Sequence, residues 1–101
     1  VVAQRYQDFF DEVGVRFVTE RAGTVSNYWL NAILLRNSQE RDSFIRSTNR
    51  AGVMTRPIWT LMTKLDMFTD CQHDGLSNSI WLEERVANIP SSVPNIIKDV
   101  I

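Results

Sequence analysis

The stretch NYWLNAILL, residues 27–35, carries no charge and consists mainly of aromatic and branched apolar side chains. A strand with one solvated face alternates apolar and polar residues. This one is too apolar for that, and it predicts a central strand buried on both faces. Such a strand needs partners to pair with and helices to cover it, and the flanking sequence offers both.

Before it, VRFV (15–18) is short, β-branched and alternating, which predicts a strand. ERAGTVS (20–26) joins the two as a turn pivoting on Gly23. Residues 1–12 place Val2, Tyr6, Phe9, Phe10 and Val13 at near-helical spacing with charges opposite, and Gly14 stops that helix. After the central stretch, NSQERDSFIRSTNRAG (37–52) is the clearest helix. Asn37 or Ser38 caps it, Glu40 favours the positive end of its dipole, and Gly52 stands at the stop. Phe44, Ile45, Thr48 and Ala51 form its inner stripe.

VMTRPIW (53–59) is extended again, because Pro57 pushes Arg56 out of helical geometry. Proline cannot donate to a ladder, so this segment is an edge strand or leaves the sheet at Pro57. LSNSIWLEERV (76–86) predicts a short helix capped by Ser77 or Ser79, and ANI (87–89) a last short strand. Ser91 or Ser92 then caps a final helix, VPNIIKDVI (93–101), with Pro94 in its first turn. The order α-β-β-α-β-α-β-α predicts a small α/β sandwich of the α+β kind. Its helices would cover a three- or four-stranded, mostly antiparallel or mixed sheet.

A chain of 101 residues makes one domain with a core that needs no disulfide staple. Eleven basic residues against twelve acidic ones, with the arginines spread among the acids, argue against a nucleic-acid binder. The one cysteine, Cys71, suits a reducing compartment, and no apolar run approaches the ~18 residues of a membrane span. No charged leader with an apolar stretch opens the chain, so a cytoplasmic protein is expected. The chain lacks a starting methionine and opens inside a helical pattern, which leads us to expect a piece of something longer.

DCQHD (70–74) gathers an acid, the cysteine, the only histidine and another acid in one loop. A structural zinc site needs four ligands, usually in two spaced pairs, so the segment is read as a polar turn and no metal is expected. A Cys71–His73 nucleophile pair lacks an orienting third group. The two lysines, Lys64 and Lys98, are both read as solvated, whereas a Schiff-base lysine needs a desolvated pocket. PSS (90–92) is an ordinary cap or a set of amides for a phosphate. Tyr28, Trp29 and Trp81 are assigned to the core; Trp59, following Arg56-Pro57, is assigned to a ligand. Arg56 itself is either a solvated strand-end charge or a guanidinium held to meet a flat anion.

Three segments in order, SNYWLNAILL (26–35), AGVMTRPIW (51–59) with its tail TLMTKLDMF, and LEERVANIPSS (82–92), carry a resemblance over nearly the whole chain. Together they resemble the C-terminal small domain of the DegT/DnrJ family of pyridoxal-phosphate-dependent sugar aminotransferases. They look closest to the branch that aminates nucleotide-linked keto-sugars on the way to legionaminic-acid-type sugars. Pro57-Ile58-Trp59 stands where the wider family often has Pro-Leu-His, so no role of that histidine carries over. The resemblance implies that residues 1–101 are the small domain of a fold-type-I enzyme, with the cofactor-binding large domain absent. The phosphate cradle and the Schiff-base lysine would lie in that large domain, so the fragment alone should be inactive and bind no pyridoxal 5'-phosphate. It also implies a nucleotide-sugar substrate, an amino-acid donor, commonly glutamate, and a homodimer. Arg56 would face a substrate phosphate or the donor's carboxylate, and Trp59 would pack on the sugar or base. Asn27 and Tyr28 are further substrate-binding candidates. The reading set against this one is a stand-alone α/β interaction or regulatory domain without catalysis.

Overall fold

The computed structural model describes residues 1–94. Its elements run α1 (Val2–Val13), β1 (Arg16–Phe17), β2 (Asn31–Leu34), α2 (Ser38–Arg50), β3 (Arg56–Pro57), α3 (Ser77–Arg85) and β4 (Val86–Ile89). Two 3-10 turns, Met62–Lys64 and Asp66–Phe68, fill the connection before α3. The four strands form one open sheet in the order β1-β2-β4-β3, with every pair antiparallel. The fold is therefore α+β. The expected final helix lies, from residue 95 onward, outside the described residues, as does Lys98.

Register sorts the side chains into two faces. Phe17, Ile33, Ala87 and Pro57 stand in one cross-strand row, and Arg16, Leu34 and Val86 in the next. Because successive strand residues point to opposite faces, the first row faces one way and the second the other. Phe17, Ile33, Leu35, Ala87 and Ile89 meet Phe10 of α1 in the core, with Ala3, Tyr6, Phe44 and Ile45 packed around them. Helices α1 and α2 thus cover a single face. The central strand corrects the sequence reading on this point. Asn31, Ile33 and Leu35 are buried, whereas Ala32 and Leu34 on the far face are only half-buried.

Two helix stripes are narrower than their spacing implies. Phe9 and Val13 point outward from α1 and leave Ala3, Tyr6 and Phe10 to face the core. Ala51 of α2 is exposed, beyond the last helical turn. Caps follow local chemistry. Asn37 Oδ1 accepts from the Glu40 N–H at 2.8 Å, and Gly14, at φ +75°, takes the left-handed position after α1. Neither Ser77 nor Ser79 caps α3. Leu76 precedes that helix at φ +50°, and Asp74 Oδ1 accepts its N–H at 2.7 Å.

Glu83 ties three segments together. One carboxylate oxygen accepts the Leu61 N–H at 2.6 Å, the other takes the Lys64 ammonium, and the Glu83 carbonyl accepts from Arg41 Nη1 at 2.5 Å. Partial burial alone would raise the Glu83 carboxyl. The bonds from Lys64 and Leu61, with the charges of Lys64 and Arg41, outweigh it and hold the group below its ordinary range. A depressed folded value means stability that is complete above the unfolded carboxylate range and is lost as pH falls through the folded value. Glu83→Gln should therefore cost about 1 kcal/mol near neutrality, a figure discounted for screening because Lys64 is half-exposed. The difference from wild type should shrink between neutrality and a pH below the ordinary carboxylate range, as Glu83 takes up a proton on passing through its depressed folded value and comes to match the uncharged glutamine. Urea midpoints at the two pH values measure this, and an equal gap at both would show that the charge contributes nothing.

Candidate functional site

Arg56 is set by its two neighbours. Thr55 is buried against the end of α2, where its hydroxyl lies 2.6 Å from that of Thr48. Asn49 Nδ2 donates to the Thr55 carbonyl at 3.0 Å. With Thr55 anchored inward, strand alternation turns Arg56 to the face away from the helices, beside Asn88 of β4. Pro57 lies on the edge strand, where its missing N–H is tolerated. The Arg56 guanidinium touches Met54 Sδ at 3.6 Å, and among the described residues no carboxylate lies within ion-pair distance of it.

This side chain opens onto a groove of about 760 Å³. Met54, Arg56, Pro57 and Trp59 line it from the β3 edge, and Trp29 and Leu30 line it from the loop before β2. The exit of β4, from Asn88 to Ser92, lies along it too. That volume is in the range of small-molecule sites, and the lining pairs apolar and aromatic surface with a cation that has no carboxylate partner among the described residues. Trp59 is 68% exposed and Trp29 73% exposed, so neither indole serves the core.

The structure brings Arg56 and Trp59 together and leaves Asn27 and Tyr28 outside the groove. Those two line a separate hollow beside the start of α1. Tyr28 stacks on Phe17 at 6.1 Å, and its hydroxyl accepts the Glu20 N–H at 3.2 Å. Asn27 Oδ1 accepts the Trp29 N–H at 3.0 Å. Both shape the loop that carries Trp29.

Trp29 is the groove residue that the sequence reading placed in the core. The strand expected over 27–35 begins only at Asn31. Ser26 Oγ accepts from the Tyr28 N–H and Asn27 Oδ1 from the Trp29 N–H, two consecutive side-chain-to-backbone bonds that compete with strand pairing. Tyr28 consequently sits at φ +49° and the indole swings out. The Ser-Asn pair preceding the aromatics was the available signal. Trp81 is also partly exposed, with the Arg85 guanidinium 4.4 Å above its ring.

Other candidates play different parts. Lys64 is not simply solvated, since it pairs with Glu83. Ser91, expected as a helix cap, accepts at its hydroxyl from both Asn31 nitrogens. Cys71 and His73 are exposed, and among the described residues no three His, Cys, Asp or Glu side chains gather as a metal-holding group. Pyridoxal phosphate does not fit the described residues. Their one lysine is ion-paired and half-exposed, whereas an aldimine lysine must be neutral and desolvated. Among the described residues no helix is long and apolar enough to cross a membrane.

Comparison with protein families matches residues 1–99 to the DegT/DnrJ/EryC1/StrS aminotransferase family. Comparison with curated proteins finds no match.

Proposed function

The chain belongs to the DegT/DnrJ/EryC1/StrS aminotransferase family, and from that premise we propose that it is the C-terminal small domain of a cytoplasmic, homodimeric enzyme that aminates a nucleotide-linked keto-sugar. Glutamate is the proposed donor, and the legionaminic-acid-type branch the proposed setting. The family is generally pyridoxal-phosphate-dependent. In this proposal the cofactor and its lysine belong to another domain of the full-length enzyme, and residues 1–101 contribute substrate contacts.

One observation carries the reading: a guanidinium without a carboxylate partner among the described residues shares a groove with two exposed indoles. Solvating Trp29 and Trp59 wastes apolar area, so a ligand that covers them gains it. Arg56 can donate two parallel bonds to a phosphate or a carboxylate. A nucleotide-linked sugar presents both features, an anion beside a flat or apolar surface; glutamate presents only the anion.

Trp59→Ala in the full-length enzyme tests this. KM for the sugar nucleotide should rise two- to tenfold, the equivalent of about 0.5–1.5 kcal/mol, with KM for glutamate unchanged. Steady-state kinetics with each substrate varied in turn decide the matter. Unchanged KM values for both substrates would remove the groove from the substrate path.

A further inference from the structure

We infer that Asn31 and Ser91 are a positioning pair for the groove, holding the loop that bears Trp29 and the exit of β4 at the separation a bound nucleotide requires. The inference rests on the groove being the nucleotide-sugar site.

The argument begins where the ladder ends. Asn31 opens β2 and Ile89 closes β4, and the two are paired directly. Trp29 lies just before this pair and Ser91 just after it, so neither wall is held by strand pairing. Ser91 substitutes for the missing ladder. Its hydroxyl oxygen accepts the Asn31 N–H at 3.0 Å and Asn31 Nδ2 at 3.0 Å, and donates to the Ile89 carbonyl at 3.4 Å. Asn31 Nδ2 also donates to the Tyr28 carbonyl at 3.4 Å. One amide nitrogen therefore reaches both walls, Ser91 on one side and the residue preceding Trp29 on the other. Tyr28 sits in the left-handed region at φ +49°, a conformation that a non-glycine residue holds only when its surroundings impose it.

Asn31 is also an unusual choice for its place. It is 1% exposed, and among the described residues its Oδ1 has no hydrogen-bond partner. A valine would fill such a position without orphaning an acceptor. What the amide adds is direction, two donors fixed at once, and fixed walls reduce the ordering cost of binding.

The test uses the full-length enzyme with UDP, GDP, dTDP and CMP as probes, titrated by tryptophan fluorescence to find the one that wild type binds tightest. Ser91→Ala and Asn31→Val should raise Kd for that nucleotide tenfold or more. Ser91→Thr, which keeps the hydroxyl, should stay within threefold. The glutamate-driven change in cofactor absorbance should be unaltered in all three, which a general loosening of the fold would not allow. If Asn31→Val fails to fold, Asn31→Ala takes its place, because Asn31 does not line the groove and its loss cannot act by direct contact. Wild-type Kd in Ser91→Ala, with Trp59→Ala weakened, would overturn the positioning role while leaving the groove as the nucleotide site. Wild-type Kd in both, or no binding of any probe by wild type, would overturn the groove reading and this inference together.

Discussion

Phe17→Ala is expected to destabilise the domain by about 3–5 kcal/mol. Phe17 is 5% exposed, and its ring contacts three others: it is stacked with Phe10 at 6.5 Å and Tyr28 at 6.1 Å, and tilted against Tyr6 at 6.3 Å. It is therefore the point where α1, β1 and the loop before β2 meet. Truncation leaves a void that β1 cannot close, because this strand is only two residues long and pairs on one side. A domain of this size holds roughly 5–15 kcal/mol in total, so the variant should sit near its unfolding threshold. Phe9→Ala is the control: its ring is exposed, and the cost should stay within about 1 kcal/mol. Urea unfolding of both variants gives the comparison. If Phe17→Ala moves the midpoint no further than Phe9→Ala, the core has been placed on the wrong face of the sheet.

The second large effect is functional. Arg56→Ala in the full-length enzyme should lower kcat/KM by about 1.5–3 kcal/mol, roughly 10- to 150-fold, through loss of a charge-assisted bond. Stability should hardly change, since the guanidinium is exposed and has no carboxylate partner among the described residues. The cofactor's absorbance should also stay as in wild type. The substrate whose KM rises identifies the anion: a rise for the sugar nucleotide means a phosphate, a rise for glutamate a carboxylate. Arg56→Lys should recover only part of the loss, because an ammonium restores charge without the planar pair of donors. Full activity in Arg56→Ala would return this side chain to a solvated strand-end charge.

The elements were legible because their signals are local. Gly14 and Asn37 mark helix boundaries through backbone conformation and capping, and both act where the sequence puts them. Pro57 confines its segment to an edge for want of an N–H, and β3 is an edge strand. Proline geometry likewise brought Arg56 and Trp59 forward as a pair before any neighbour was known.

Relations between distant segments were not legible. ANI could be read as a strand, but its place between β2 and β3 depends on which partners its two edges find. The hydrophobicity of 27–35 measured how much surface the stretch must lose, not who covers it. Side-chain bonds from Ser26 and Asn27 instead delayed the strand to Asn31 and put Trp29 in the same groove as Trp59. Nor does anything within a few residues of Lys64 announce Glu83, nineteen positions on, or within reach of Asn31 announce Ser91, sixty positions on. Residue type and near neighbours determine what each segment can become, because backbone preference and periodicity act over a turn or two. The groove had to wait for the tertiary structure, because its walls come from three separated segments that meet only when the sheet closes its register.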